Sequence, residues 1–393
     1  MPRFLVLDRR IGVVVSANFI AVAARMSLVT FLGIYFVHKA AIDLAMVGVA
    51  FLCENGLRGL LAPMFGALSD RIGRRALLIA SALATAIVLP CFLLVTGPAS
   101  LLAWSMALGI TGAVNMPVAS ALLLDLAPPE RRQSVLALNY TVMSVAYTLG
   151  VMPAGYVAER GYGLLAAVSG AGYVLVAALY AAALRGALPL ERSRGDSIVR
   201  DTLSAFGDGR FVGFAAIAFV FPLSMGMVVT VSPLFGADLG LGEGYIGLVL
   251  GGNSILVAAL ALPVASRIEP MGPFRVLGAA ALFVSLALVS YGALRDAAAA
   301  LLIGTVVFSF GEVVFSSAVP AAVARLAPTG RRGAYQGSWA LVASLSMGSA
   351  LILSGFLKEA IGWRGAWIAS AALVLLAAWA LFALRERFSG ASL

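Results

Sequence analysis

The sequence predicts an all-α integral membrane protein of twelve transmembrane helices in two pseudo-symmetric six-helix bundles. Three observations predict it. Of 393 residues, 62% are hydrophobic and only 11% charged, against roughly 25% charged in an ordinary soluble chain. Apolar runs of ~20 residues, the length that crosses a bilayer, recur along the whole chain and leave almost no room for a soluble domain. Finally, Asp125-Leu126-Ala127-Pro128-Pro129-Glu130-Arg131-Arg132 returns without gaps as Arg325-Leu326-Ala327-Pro328-Thr329-Gly330-Arg331-Arg332, with five of eight positions identical, and Gly155 aligns with Gly355. The two copies fall at the same turn of each half, the pattern left by a six-plus-six duplication.

The first apolar run, Ile11 to Val37, follows Arg3, Arg9 and Arg10 like a signal peptide, but it is too long for one and reads as a retained span. Leu44 to Phe65 and Ala76 to Val95 are spans two and three, reversing through the charged stretch Gly66 to Arg75. Leu101 to Leu124, Val135 to Val157 and Leu164 to Leu184 complete the first bundle, residues 1–184. From Arg185 to Arg210 the chain turns polar, a linker in which Val199, Leu203 and Phe206 keep helical spacing; a short amphipathic surface helix and a disordered tether both fit. The second bundle, residues 211–393, holds Phe211 to Phe235, Tyr245 to Ala265, Phe274 to Leu294, Ala298 to Ala321, Ala334 to Phe356 and Trp367 to Leu384.

The excess of 27 basic over 18 acidic residues is scattered over short loops, which argues for topology rather than nucleic-acid binding. With both termini inside, 20 Lys and Arg lie in cytoplasmic segments, 5 outside (Lys39, Arg160, Arg295, Lys358, Arg364) and 2 within spans. That asymmetry predicts cytoplasmic termini in a cell inner (plasma) membrane. Arginine far outnumbers lysine, which with the alanine content suggests a GC-rich bacterial source. Cys53 and Cys91 sit in apolar runs as small hydrophobes, and His38 is the single histidine, so the residues offer no metal cluster, no cofactor site and no catalytic constellation.

The stretch Gly66-Ala67-Leu68-Ser69-Asp70-Arg71-Ile72-Gly73-Arg74-Arg75 resembles the signature G-x-L-x-D-R-x-G-R-R between spans two and three of the major facilitator superfamily. The second-half counterpart, Pro263 to Gly272, keeps charge and a glycine but not the order. The resemblance covers nearly the whole chain and implies two bundles rocking about a central cavity. It assigns the motif to conformational control: Gly66 and Gly73 would permit tight turns, and Asp70, Arg71, Arg74 and Arg75 would form a latch. Asp125, Arg131 and Arg325 of the repeated turn are further latch candidates, and charges that merely set topology are the alternative. Phe308 to Phe315, Pro320, and Arg331 to Gly337 are similar to spans ten and eleven of the drug-proton antiporter group. The chain departs from that group in lacking an arginine between Ser105 and Gly112 and in carrying only Gly150 to Gly155 as an antiporter-like motif.

Charge at mid-bilayer costs ~2.5 to 3.5 kcal/mol even on the mild insertion scale, so each buried charge needs a partner or a task. There are four: Arg25, Glu54, Arg58 and Glu312. Helical rise places Arg25 and Glu54 roughly 20 and 15 Å into their spans, at similar depth, and Arg58 shares a helix face with Glu54. Glu54 is then a proton or cation acceptor, a structural counter-ion between two guanidiniums, or the neighbour of an anionic substrate group held by an arginine. Glu312 has no cation near it on span ten, and a carboxyl removed from water without a counter-ion favours its neutral form. It is the first candidate for proton coupling. A neutral acid hydrogen-bonded across a helix interface, or paired with an arginine of the other half, is the alternative.

In the superfamily, spans one, four, five, seven, ten and eleven line the cavity; here they supply Phe31, Tyr35, Asn115, Tyr140, Tyr147, Met225, Met227, Phe308, Phe315 and Trp339. Such aromatic and methionine surface suits bulky apolar compounds, and helix packing accounts for each residue equally well. The expectation is a monomeric secondary transporter in membrane lipid, driven by the proton gradient, that exports lipophilic or cationic small molecules. The second expectation is symport or uniport of a specific solute or lipid.

Overall fold

The computed structural model describes residues 8–183, 204–268, 271–328 and 331–384. Each apolar run is a helix. The first half contains α1 (Arg9–Lys39, closing in a π turn), α2 (Leu44–Ile72), α3 (Arg74–Leu94), α4 (Pro98–Leu126), α5 (Arg132–Arg160) and α6 (Tyr162–Ala183). The second contains α7 (Gly209–Asp238), α8 (Glu243–Ile268), α9 (Pro273–Ala293), α10 (Ala297–Leu326), α11 (332–361) and α12 (363–383). The last two abut at Gly362, whose φ of 71° breaks the helix.

Polar residues at the ends do the capping. Asp43 accepts from the Ala45 amide at 2.8 Å and Asp296 from the Ala299 amide at 2.7 Å, each satisfying an orphan donor of a first turn. Asp208 caps α7 through the Arg210 amide and accepts the Tyr335 hydroxyl, both at 2.8 Å, tying the starts of α7 and α11 together.

The duplication survives in backbone geometry where the sequence has drifted. Gly73 after α2 (φ 93°) corresponds to Gly272 after α8 (φ 75°), and Gly161 after α5 (φ 144°) to Gly362 after α11. These are left-handed turns that favour glycine. The expected turn at Gly66 is corrected: α2 continues through Ile72, and Gly73 alone makes the reversal. Helical hydrogen bonds continue beyond the apolar run because residues 66–72 contain no proline and the one glycine among them costs only about 1 kcal/mol in a helix. Of the linker helix, Val199 and Leu203 lie outside the described residues; Phe206 sits in a 3-10 turn, edge-on to the Phe211 ring at 5.7 Å.

In the first half α1 packs on α5 and α6, α2 on α4, and α3 on α4 and α6; in the second α9 packs on α10 and α12, α7 on α11, and α8 on α10. The halves meet along α2 with α11 and α5 with α8. Small residues set these seams. A methyl added at Gly48 would lie 2.7 Å from the Ile352 amide nitrogen, at Gly348 2.8 Å from the Leu52 Cα, and at Gly247 2.9 Å from the Val151 carbonyl; one at Gly155 would collide with the Glu243 carbonyl. With no hydrophobic drive between helices in lipid, such backbone approach supplies the dispersion that holds them.

All these approaches lie toward the end away from the Gly73 turn. At the Gly73 end Leu138, Tyr140 and Thr141 of α5 are exposed, as are Ser316, Ser317 and Pro320 of α10. The close backbone approaches between the halves thus cluster at one end, while these faces of α5 and α10 are exposed at the other. Two kinds of glycine are therefore separable. Gly150, whose added methyl would lie 2.6 Å from the Ala23 carbonyl inside the first half, should lower thermal stability by several degrees when changed to Leu. Gly155→Leu should leave the melting temperature nearer wild type but raise solvent labelling of cysteines placed at the far end; equal melting losses in both variants would contradict this division.

Candidate functional site

Two buried polar centres lie in the spans, one in each half. In the first, Glu54 of α2 forms an ion pair with Arg25 of α1, and Arg58, one turn on, brings Nη1 to 3.7 Å of the same carboxylate oxygen. Asn55 donates to the other carboxylate oxygen at 2.9 Å and accepts from Arg58. Tyr173 of α6 interacts with both guanidiniums. Room for them comes from α4: a methyl at Gly109 would lie 2.6 Å from the Glu54 carbonyl, and one at Gly112 3.2 Å from Arg25 Nη1. The centre holds two cations and one anion, and the Arg25 Nε and Nη1 atoms are buried with no hydrogen-bond partner. It faces α2, α4 and α6, inside the first bundle.

Toward the Gly73 end, a second polar group continues the same interior. Asn18 donates to Asn139 at 2.9 Å, and Tyr180 donates to Asn18 at 3.2 Å and reaches Asn115 at 3.4 Å. These amides bind α1, α4, α5 and α6 together, and Asn115, expected in the cavity, belongs to this network.

The second centre is Glu312 on α10, 9% exposed. Asn253 of α8 donates to its Oε2 at 3.1 Å, while Ser309, one turn earlier on α10, donates to the Asn253 carbonyl oxygen at 2.6 Å. Ser309 thus fixes which way the Asn253 amide faces. Among the described residues no cation lies within ion-pair distance of Glu312. From the opposite half Tyr140 and Tyr147 of α5 lie close enough to interact with its charge. The carboxyl therefore stands between the halves with one neutral donor as its partner.

The charged turn is engaged within the first half. Arg74 bridges Asp125 at 2.6 Å and Asp70 at 3.2 Å, and Arg75 donates to the Ala181 carbonyl at 2.7 Å. Every one of these contacts stays within the first half, binding α2, α3, α4 and α6. Asp125 is engaged by Arg74 rather than facing Arg325, which lies near Gly272 in the second half. Arg71 and Arg131 are exposed.

Several expected cavity residues are packing residues instead. Phe31, Met227 and Phe308 are at most 1% exposed, so they have no surface to offer a solute in this conformation. Tyr35 stacks edge-on with Phe36 and Phe92 and lies 5.0 Å from the Tyr162 ring, inside the first bundle. Phe315 and Trp339 are also buried, against Phe221 and Phe214 respectively. Met225 is half-buried, and Tyr140 and Tyr147 keep exposed surface.

The charged residues of the spans do not by themselves point to Asn253, Asn55, Asn18, Asn139 or Tyr173. The same warning applies to amides and phenols in apolar runs, since a polar group in hydrocarbon needs a partner.

The Major Facilitator Superfamily model matches residues 14–242 and 214–392. A Na(+), Li(+), K(+)/H(+) antiporter of Planococcus maritimus is 29% identical over 127 residues, which is 30% of this chain and 29% of that relative's length. Among solved structures, the nucleoside transporter NupG superposes with a TM-score of 0.82 at 13% identity, covering 96% of this chain and 100% of that one. A bacterial homologue of the human lysosomal transporter Spinster, inward-facing and unoccupied, gives 0.80 at 13% identity with 97% of both chains covered. At such identities the likeness is one of fold. Twelve apolar helices among the described residues, counting those either side of Gly362 separately, and a family model matched across both halves mean that this multi-pass membrane protein belongs to the major facilitator superfamily.

Proposed function

We propose that the chain is a proton-coupled secondary transporter that exports lipophilic or cationic compounds by alternating access, with Glu312 carrying the proton. The observation behind this reading is the contrast between the two centres. Glu54 is held by two arginines and Asn55, the setting of a structural counter-ion. Glu312 has only Asn253, whose amide donates to a carboxylate and to a neutral acid alike. A carboxyl so placed changes charge without breaking its one hydrogen bond.

With cytoplasmic termini, the open Gly73 end faces the cytoplasm and the conformation is inward-facing. An ionised Glu312 between the halves attracts a cationic solute from that side. After the halves rock, protonation from outside neutralises the carboxyl and weakens its hold, and the solute leaves. Deprotonation on the return resets the site. The half-buried Met225 and the partly exposed Tyr140 and Tyr147 supply adaptable apolar surface for such solutes. The cation/proton antiporter similar to part of the chain agrees with proton exchange. Membrane lipid, protons and the solute are the partners of this scheme, in a monomer of the inner membrane.

Proteoliposomes loaded with a pH dye test the scheme. A panel of lipophilic compounds, cationic and neutral, should drive proton movement in wild type, and Glu312→Gln should abolish it and weaken binding of cationic members of the panel while leaving neutral ones bound. If no member of the panel moves protons, specific solute or lipid transport becomes the better reading.

The Arg25 centre is assigned a structural role. Glu54→Ala leaves the buried Arg25 and the partly exposed Arg58 without their anion and should cost about 3–5 kcal/mol of stability, read as lost folded yield in detergent. Replacing Arg25 and Glu54 together by Met should recover much of that yield. Failure of the pair to recover while a charge-conserving exchange retains transport would move this centre from scaffold to coupling.

A further inference from the structure

At the closed end a third polar cluster joins the halves. His38, in the π turn that ends α1, places Nε2 2.7 Å from Oδ1 of Asp238, the last residue of α7. The second oxygen of Asp238 accepts from Lys358 Nζ of α11 at 2.6 Å and from Trp363 Nε1 of α12 at 2.8 Å. The Lys358 ammonium also sits 4.7 Å above the Trp363 ring. Three of these four residues belong to the second half; His38 alone belongs to the first. Among the described residues the ion pairs Arg25–Glu54, Arg74–Asp125 and Lys358–Asp238 each stay within one half, and His38–Asp238 is the pair that crosses.

We propose that His38 and Asp238 are positioning residues of the far-end gate, the imidazole closing it by binding the Asp238 carboxylate and releasing it when the halves part. The division of partners suits reversal. When the gate opens, Asp238 keeps Lys358 and Trp363, so no bare carboxylate is left and this cluster gives up one hydrogen bond, beside the bond from the Gly244 amide to Glu159 that also crosses the halves at this end. That bond depends on protonation. An imidazolium holds a carboxylate more tightly than a neutral imidazole does. Acid on this side therefore favours the closed gate, and alkali frees it.

The other charged groups around the imidazole do not replace this pair. Lys39 is next in sequence and exposed, and Asp43 at the start of α2 is engaged by the Ala45 and Met46 amides. Lys358 shares the Asp238 carboxylate from the far side. The proposal rests on alternating access but not on Glu312 or on any particular solute.

Spin labels at Leu164→Cys and Arg295→Cys, exposed positions at this end of the two halves, measure the gate in lipid once Cys53 and Cys91 are replaced by Ser. The protein carries Glu312→Gln as well, so that this carboxyl does not contribute to any pH response. The long-distance, gate-open share should rise several-fold between about pH 5.5 and about pH 8. His38→Gln should remove the rise, His38→Arg should hold the share low at both pH values, and Asp238→Asn should raise it roughly tenfold at the acid value. A pH response that persists undiminished in His38→Gln and His38→Arg overturns the proposal. So does an Asp238→Asn protein with wild-type distances. Proton flux in wild type against Glu312→Gln remains a separate readout, so failure of the gate and failure of the coupling residue are told apart.

Discussion

Charge in hydrocarbon is the constraint on which this structure depends. Burying an ion without a partner is costly enough that each ionised side chain in the spans must be neutralised, hydrogen-bonded or able to give up its charge. The two halves meet this demand in different ways. The first surrounds Glu54 with Arg25, Arg58 and Asn55 and opens space for the guanidiniums by placing Gly109 and Gly112 on the facing helix. The second leaves Glu312 with a single amide partner. The same physics gives one centre a full set of ionic and amide partners and the other a single neutral one.

The seam between the halves follows a second demand, that contact be close yet reversible. Glycines at 48, 155, 247 and 348 bring backbone against neighbouring helix without interlocking side chains. Such a seam gains dispersion when closed and gives up little shape-specific packing when it parts. The exposed faces of α5 and α10 at the Gly73 end are what remains of the corresponding seam when it is open.

Most of the fold was legible in the sequence because hydrophobic runs of membrane-crossing length have few alternative structures. Helix ends were read less well. The apolar run of span two stops at Phe65, yet α2 continues through Asp70 and Arg71 to Ile72, since helical bonding extends into water where polar side chains are welcome. The repeat at Asp125 and Arg325 marks the equivalent turns of the halves, but which charge Asp125 meets is a tertiary fact, and it meets Arg74. The neighbourhood of Glu54 was visible because Arg58 shares its helix and Arg25 matches its depth. Asn253 was not visible, because which helix packs beside Glu312 is a tertiary fact. The aromatic cavity list suffered most: Phe31 and Phe308 lie on helices that border the cavity, but a helix has several faces, and theirs point into the packed bundles.

The central claim is that Glu312 and not Glu54 changes protonation as the transporter works. Infrared difference spectroscopy of the protein in lipid, with pH stepped through the working range, reads the carbonyl stretch of protonated carboxyls directly. The account predicts a band that appears on acidification, is lost in Glu312→Gln and is retained in the Arg25→Met, Glu54→Met pair replacement. A band lost in the pair replacement and retained in Glu312→Gln would contradict it.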